Sequence, residues 1–243
     1  MSRRIDNPLL SRPRRSCLYV PGANARALEK AKSLPADAFI LDLEDAVAPE
    51  AKADAREAIR NAVGDRAYGA REVVIRVNGL ETEWGQDDLE MAASVGIDGV
   101  LVPKITSGDD IFVVDQCLND AGAVPDLGFW AMIETPLAIL NIGEIAAASS
   151  DTRLTGFVIG TNDLAKELNA VPTPDRRAFI FSLSAALAAA RAYYLVAIDG
   201  VCNDINNDEA LSAECEQGRV LGFDGKTLIH PSQIDTANRV FSP

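Results

Sequence analysis

Short, continuous apolar runs alternate with amphipathic stretches along almost the whole chain. The runs are Cys17–Val20, Ala38–Leu43, Glu72–Val77, Gly99–Val102, Gly128–Ile133, Gly156–Ile159, Tyr193–Ile198 and Lys226–Ile229. Most are β-branched, the pattern of strands covered on both faces in a parallel sheet. Between them the pattern predicts helices at Asn24–Lys32, Pro49–Val63, Trp84–Val95, Asp109–Asn119, Leu137–Ala148, Leu164–Leu168, Pro174–Arg191 and Asp208–Leu221. Pro49 and Pro174 suit a first helical turn, where a missing amide donor is harmless, and Gly64, Gly96 and Gly122 suit helix ends. Eight β/α repeats in 243 residues predict an α/β fold, a single (β/α)8 TIM barrel over residues 16–243, in preference to an open doubly wound sheet. Residues 1–15, polar and rich in Pro and Arg, are expected to form a loose N-terminal arm.

Composition narrows the chemistry. A net charge of −13 disfavours a nucleic-acid partner, which selects a basic surface. No window approaches the roughly 20 consecutive apolar residues of a membrane span, and the first residues lack the apolar core of a signal peptide. The expectation is a soluble, cytoplasmic protein with neither nucleic acid nor membrane as partner. Cys17, Cys117, Cys202 and Cys215 have no CxxC spacing and read as reduced thiols. His230 is the only histidine, so a His-rich zinc site, a two-His iron triad and a multi-histidine relay are excluded. Any metal must be held mainly by oxygen.

In a parallel barrel, residues just past each strand's carboxyl end face the ligand site. That rule gathers Pro21, Gly22, Glu44, Asp45, Arg76, Asn78, Pro103, Lys104, Glu134, Thr135, Gly160 to Asp163, Asp199 and His230. Glu134 and Asp163 end two apolar runs and are the candidate ligands of a Mg²⁺ ion; their carboxyl groups must then lie within about 7 Å of each other. Arg76, a guanidinium on an inner strand, needs an anion, either substrate or a buried partner among Glu44 and Asp45. Glu44 and Asp45 are candidate proton acceptors or loop charges. Lys104 reads as an ion-pair partner, with a Schiff-base nucleophile as the rival. His230 reads as a hydrogen-bonded structural residue and Asp199-Gly200 as a strand-end turn. Arg14, Arg15 and Lys104 are basic enough to meet phosphates or to be solvated.

The segments Arg15–Gly22, Asp42–Val47, Arg76–Asn78, Pro103-Lys104, Glu134–Pro136, Gly160–Ala165 and Gly222–Gln233 together resemble the citrate lyase β-subunit-like (CitE-like) and malyl-CoA lyase branch of the HpcH/HpaI aldolase family. The resemblance implies a TIM barrel, Mg²⁺ on Glu134 and Asp163, substrate bound by Arg76, a coenzyme A thioester as substrate, and a homo-oligomer built on a trimer or hexamer. Two departures stand out. The pyruvate-aldolase branch has a histidine base where this chain has Asp45, which favours the thioester branch. Malyl-CoA lyase-like members continue past the segment matching Asn238–Pro243 into a helical lid with a catalytic aspartate, so the C-terminal lid is expected to be absent or truncated here.

The expected activity is Mg²⁺-dependent carbon–carbon cleavage of a β-hydroxyacyl-CoA of malyl-CoA or citryl-CoA type, giving a 2-oxo acid and acetyl-CoA or a relative. Arg76 would steady the alkoxide, with Glu44 or Asp45 as local base. Thr135, Gly160 and Thr161, with Glu134, would bind the substrate carboxylate. The alternatives are a Schiff-base aldolase on Lys104, an acyl-CoA thioesterase, and a non-catalytic acyl-CoA-binding subunit of a larger complex.

Overall fold

The protein is described by a computed structural model over residues 12–64 and 67–243. Residues 1–11, most of the expected arm, lie outside the described residues. Eight parallel strands close a barrel in sequence order: β1 (Ser16–Pro21), β2 (Ala38–Asp42), β3 (Glu72–Arg76), β4 (Gly99–Val102), β5 (Gly128–Ile133), β6 (Leu154–Ile159), β7 (Val196–Asp199) and β8 (Gly225–Leu228). The expected TIM barrel is the fold. Around it run α1 (Ala25–Ala31), α2 (Lys52–Val63), α3 (Gly85–Ser94), α4 (Gly108–Asp120), α5 (Pro136–Leu140), α6 (Ile142–Ala147), α7 (Thr161–Glu167), α8 (Ile180–Ala192), α9 (Asp208–Leu221) and α10 (Ile234–Val240). No helix among the described residues is long and apolar enough to cross a membrane.

The two-residue period of the strands sorts side chains into two cores. Cys17, Ala38, Ile40, Val74, Leu101, Trp130, Met132, Val158, Val196 and Ile198 fill the barrel interior, while Phe39, Leu41, Val73, Ile75 and Phe157 face the helices. Continuing the inward parity carries Tyr19, Asp42, Arg76 and Glu134 to the top of the barrel. At the floor, the inward Glu72 receives Arg14 through two bonds, Nε–Oε2 at 2.5 Å and Nη2–Oε1 at 2.8 Å, and that guanidinium lies 5.6 Å from the Trp130 ring. Arg15 pairs with Asp37 at 2.8 Å. Both arginines therefore serve the end of the barrel opposite the strand carboxyl ends, and neither is placed for phosphates there.

Local chemistry shifts several helix and strand boundaries. The expected helix from Pro174 begins only at Ile180, because Arg176 adopts φ +51° to reach Asp199 inside the wall. The expected strand from Tyr193 begins at Val196, after Tyr194 turns with φ +62°. The stretch Leu137–Ala148 divides at Asn141, whose side-chain amide donates to the Thr106 carbonyl at 2.9 Å. Helix α10 was absent from the apolar pattern, being a seven-residue segment.

Candidate active site

Arg76 ends β3 and Asp42 ends β2, paired in register on adjacent strands. Arg76 Nε donates to Asp42 Oδ1 at 2.6 Å and Nη2 donates to Oδ2 at 2.5 Å. Its remaining nitrogen, Nη1, faces Glu44 Oε2 at 2.7 Å and Asp45 Oδ2 at 3.3 Å. The Tyr19 ring lies 4.9 Å from the guanidinium carbon. Arg76 thus has both partners that the sequence offered, Glu44 largely buried and Asp45 exposed, and also the buried Asp42, which it did not. Burial pushes the Glu44 carboxyl up to about 8, against the pull of Arg76, while Asp45, Glu134 and Asp42 add to the rise. Burial thus favours the protonated form of Glu44.

The loop carrying Glu44 and Asp45 is fixed from below. Lys52 Nζ donates to the carbonyls of Leu43 at 2.7 Å and Glu44 at 2.8 Å and to Asn78 Oδ1 at 2.8 Å. Asn78 in turn donates to Asp88 Oδ2 at 2.6 Å, and Asp88 accepts from Arg56 at 2.8 Å. Asn78 is thus a support of the loop.

Across the barrel mouth, Glu134 and Asp163 converge on one cation. Lys104 Nζ lies 3.3 Å from Glu134 Oε1 and 3.4 Å from Asp163 Oδ2, so those two oxygens are less than about 7 Å apart, as common ligation requires. Lys104 has φ +58°, an uncommon conformation for a residue with a Cβ, and its backbone N–H donates to Glu134 Oε1 at 2.8 Å. Glu134 Oε2 is buried with no hydrogen-bond partner. Burial pushes Glu134 up to about 7; Lys104 opposes this and the nearby Asp163 reinforces it. Gly160 leaves the space this carboxylate occupies, since a Cβ there would stand 2.5 Å from Glu134 Cβ and 2.8 Å from Oε2. Burial pulls the Lys104 ammonium down, but Glu134 and Asp163 outweigh it and hold the pKa above the ordinary value. That disfavours a Schiff-base nucleophile.

The donor set fits a hard divalent ion. An unpartnered buried carboxylate oxygen beside a second carboxylate is the arrangement in which Mg²⁺ takes one or two protein oxygens and completes its shell with water or substrate. Among the described residues no group of three or more His, Cys, Asp or Glu is placed to hold a metal.

Between these two groups lies a cleft of about 330 Å³ bordered by Tyr19, Asp42, Asp45, Arg76, Gly160, Thr161 and Asp163, with apolar Met132, Ile159 and Val201. Gly160 and Thr161 therefore face it as expected from the sequence. Thr135 does not border it: its hydroxyl accepts from Ala138 N at 3.0 Å and caps α5. Asp199 turns away from the cleft, into the space between β7 and α9, where it meets Arg176 at 2.8 Å and Lys226 at 3.1 Å. His230 caps the turn before α10 through Ser232, a structural role. Sequence reasoning missed Asp42 and Tyr19; the inward parity of Ile40–Asp42 and Cys17–Tyr19 is the signal that finds them.

Residues 15–231 match the HpcH/HpaI aldolase/citrate lyase family. The chain belongs to this family. It is 52% identical over 231 residues to a (3S)-malyl-CoA thioesterase of Cereibacter sphaeroides, covering 95% of this chain and 78% of that protein. It is 37% identical over 241 residues to the citrate lyase β subunit of Escherichia coli, covering 96% of this chain and 78% of the subunit. Among solved structures, protein CitE from Mycobacterium tuberculosis in complex with magnesium, acetoacetate and coenzyme A superposes with a TM-score of 0.79 at 30% identity, covering 95% of this chain and 81% of that one.

Proposed function

We propose that this chain is a Mg²⁺-dependent hydrolase of a malyl-CoA-type β-hydroxyacyl thioester. The observation that carries the site is the convergence of Glu134 and Asp163 with a buried, unpartnered oxygen beside a cleft floored by Arg76. The choice of thioester hydrolysis over the carbon–carbon cleavage expected from the sequence rests on the 52% identity to malyl-CoA thioesterase, against 37% to the citrate lyase subunit.

Glu134 and Asp163 would hold Mg²⁺, which when bound supplies Lewis acidity and a template for oxygen ligands. Asp42 holds Nε and Nη2 and so fixes the guanidinium plane, and Arg76 Nη1, which Glu44 and Asp45 share, orients the hydroxy acid's anionic end. Thr161 and Gly160 border the same cleft and contact the acyl group. Asp45, the exposed member of the acidic pair, takes the proton of the attacking water. Oxygen adds to the thioester carbonyl, the carbon–sulfur bond breaks, and the proton ends on the departing thiol. Glu44, whose carboxyl burial pushes up to about 8, pairs with Arg76 Nη1 through Oε2 and is the weaker candidate for the base. The assembly we propose with this activity is a homo-oligomer; the exposed apolar side chains Leu137, Leu140 and Phe181, on α5 and α8, support it.

Carbon–carbon cleavage is the second reading, favoured by the same cation beside a proton-handling pair, which suits a developing alkoxide. Malyl-CoA with Mg²⁺ separates the outcomes. Hydrolysis releases free thiol and malate without glyoxylate. Stoichiometric glyoxylate and acetyl-CoA without free thiol would establish the lyase instead, and tight binding with neither product would leave an acyl-CoA-binding subunit.

A further inference from the structure

The acidic pair at the barrel mouth is already occupied by a cation of the protein's own. Lys104 holds a left-handed backbone that turns both its amide and its ammonium toward Glu134, with the ammonium 3.3 Å from Glu134 and 3.4 Å from Asp163. With both carboxyl groups ionised, as metal ligation requires, two carboxylates and one ammonium leave a net charge of −1 where a divalent ion would enter. At such separations in a half-buried site, like charges repel strongly, so an incoming metal must displace the ammonium or bind against it. A displaced ammonium needs a new anion, because the Lys104 side chain is only 35% exposed and solvent screening there is incomplete.

We propose that Lys104 makes metal binding conditional on the anionic substrate: the hydroxy acid's carboxylate arrives as the ammonium's new partner, and metal and acid bind with positive coupling. This rests on Glu134 and Asp163 being the metal ligands. Lys104 is here a counter-ion of the empty site and an anchor of the filled one. A metal unaccompanied by substrate binds weakly, which guards the site against idle divalent ions. By linkage, the acid in turn binds weakly without the metal.

Equilibrium binding of Mn²⁺, followed by the loss of its free-ion electron paramagnetic resonance signal, tests this on the full chain with and without L-malate, after correction for malate–Mn²⁺ complexes in buffer. In the unmodified protein L-malate should tighten Mn²⁺ binding about tenfold. Lys104→Met should bind Mn²⁺ alone about tenfold more tightly than the unmodified protein and lose most of the malate effect. Lys104→Gly removes the ammonium while suiting the left-handed backbone, and should behave alike, which separates the charge from any folding defect. Unchanged Mn²⁺ affinity in both variants, or full malate coupling without the ammonium, overturns the proposal. Glu134→Gln and Asp163→Asn distinguish the underlying assignment: if both bind Mn²⁺ as the unmodified protein does, the metal site itself is misplaced.

Discussion

Arg76 and Asp42 sit side by side on β3 and β2 and share two parallel bonds, 2.6 and 2.5 Å long, beneath the cleft. Both groups are almost fully buried. Removing one partner strands a charge, so Asp42→Asn should destabilise the protein by about 3–5 kcal/mol in urea unfolding. It should also lower kcat/KM, because the freed guanidinium rotates away from the substrate. Arg76→Lys should lower kcat/KM at least as much, since an ammonium cannot reproduce the planar fork. An Asp42→Asn enzyme with unchanged kcat/KM would remove the positioning role.

The barrel was legible because its strands are buried on both faces and its helices end in Gly and Pro punctuation, both local signals. The strand-end rule also collected Glu134, Asp163 and Arg76. Asp42 escaped because it lies inside the second apolar run, Ala38–Leu43, where only inward parity distinguishes it from a surface residue. Thr135, expected to bind substrate, uses its hydroxyl to cap α5, a use that only the local backbone reveals. The start of α8 was misplaced because Arg176 answers to Asp199, a partner distant in sequence that propensity cannot register.

Glu44 sets a pH dependence with a definite sign. Its folded carboxyl is raised from 4.5 to about 8, so between those values the folded protein holds a proton that the unfolded chain has released. The contribution is fully present below 4.5 and is lost as pH rises through about 8; stability should therefore fall with pH across that window. Glu134, raised to about 7, adds the same trend in metal-free protein. Unfolding titrations at several pH values in chelator should show a shallower slope for Glu44→Gln than for the unmodified protein. Equal slopes would mean that Glu44 is ionised in the fold.

Gly160 is required by proximity, not by backbone conformation: its φ is −90°, which any residue adopts. A methyl group there would stand 2.5 Å from Glu134 Cβ and 2.8 Å from Oε2. Gly160→Ala should push the carboxylate out of place and weaken Mn²⁺ binding about 10–100-fold, as other displaced ligand supports do. Far-ultraviolet circular dichroism should remain that of the unmodified barrel. Normal Mn²⁺ affinity in this variant would show that Glu134 Oε2 is not a ligand atom.

Asp199 joins the wall behind the cleft. Its carboxylate receives Arg176 at 2.8 Å and Lys226 at 3.1 Å, and Lys226 reaches Glu214 at 2.9 Å. Burial raises the Asp199 pKa, but Lys226 and Arg176 outweigh it and hold the carboxyl below the ordinary range. The pair's stabilisation is thus present above the ordinary carboxylate pKa and is lost as pH falls through the depressed folded value. Asp199→Ala removes the only ion-pair partner that the buried Arg176 has among the described residues and leaves Lys226 with Glu214 alone, and should cost about 3–5 kcal/mol, whereas Lys226→Met leaves Asp199 its Arg176 partner and should cost less. Helix α9 packs on Asp199 at Gly218, and Thr227 of the cleft wall donates to the Asp199 carbonyl at 2.9 Å. Loss of stability should therefore be accompanied by a raised KM in Asp199→Ala; urea unfolding and steady-state kinetics on the same preparations check both, and a stable variant with unchanged KM would show that this network is dispensable.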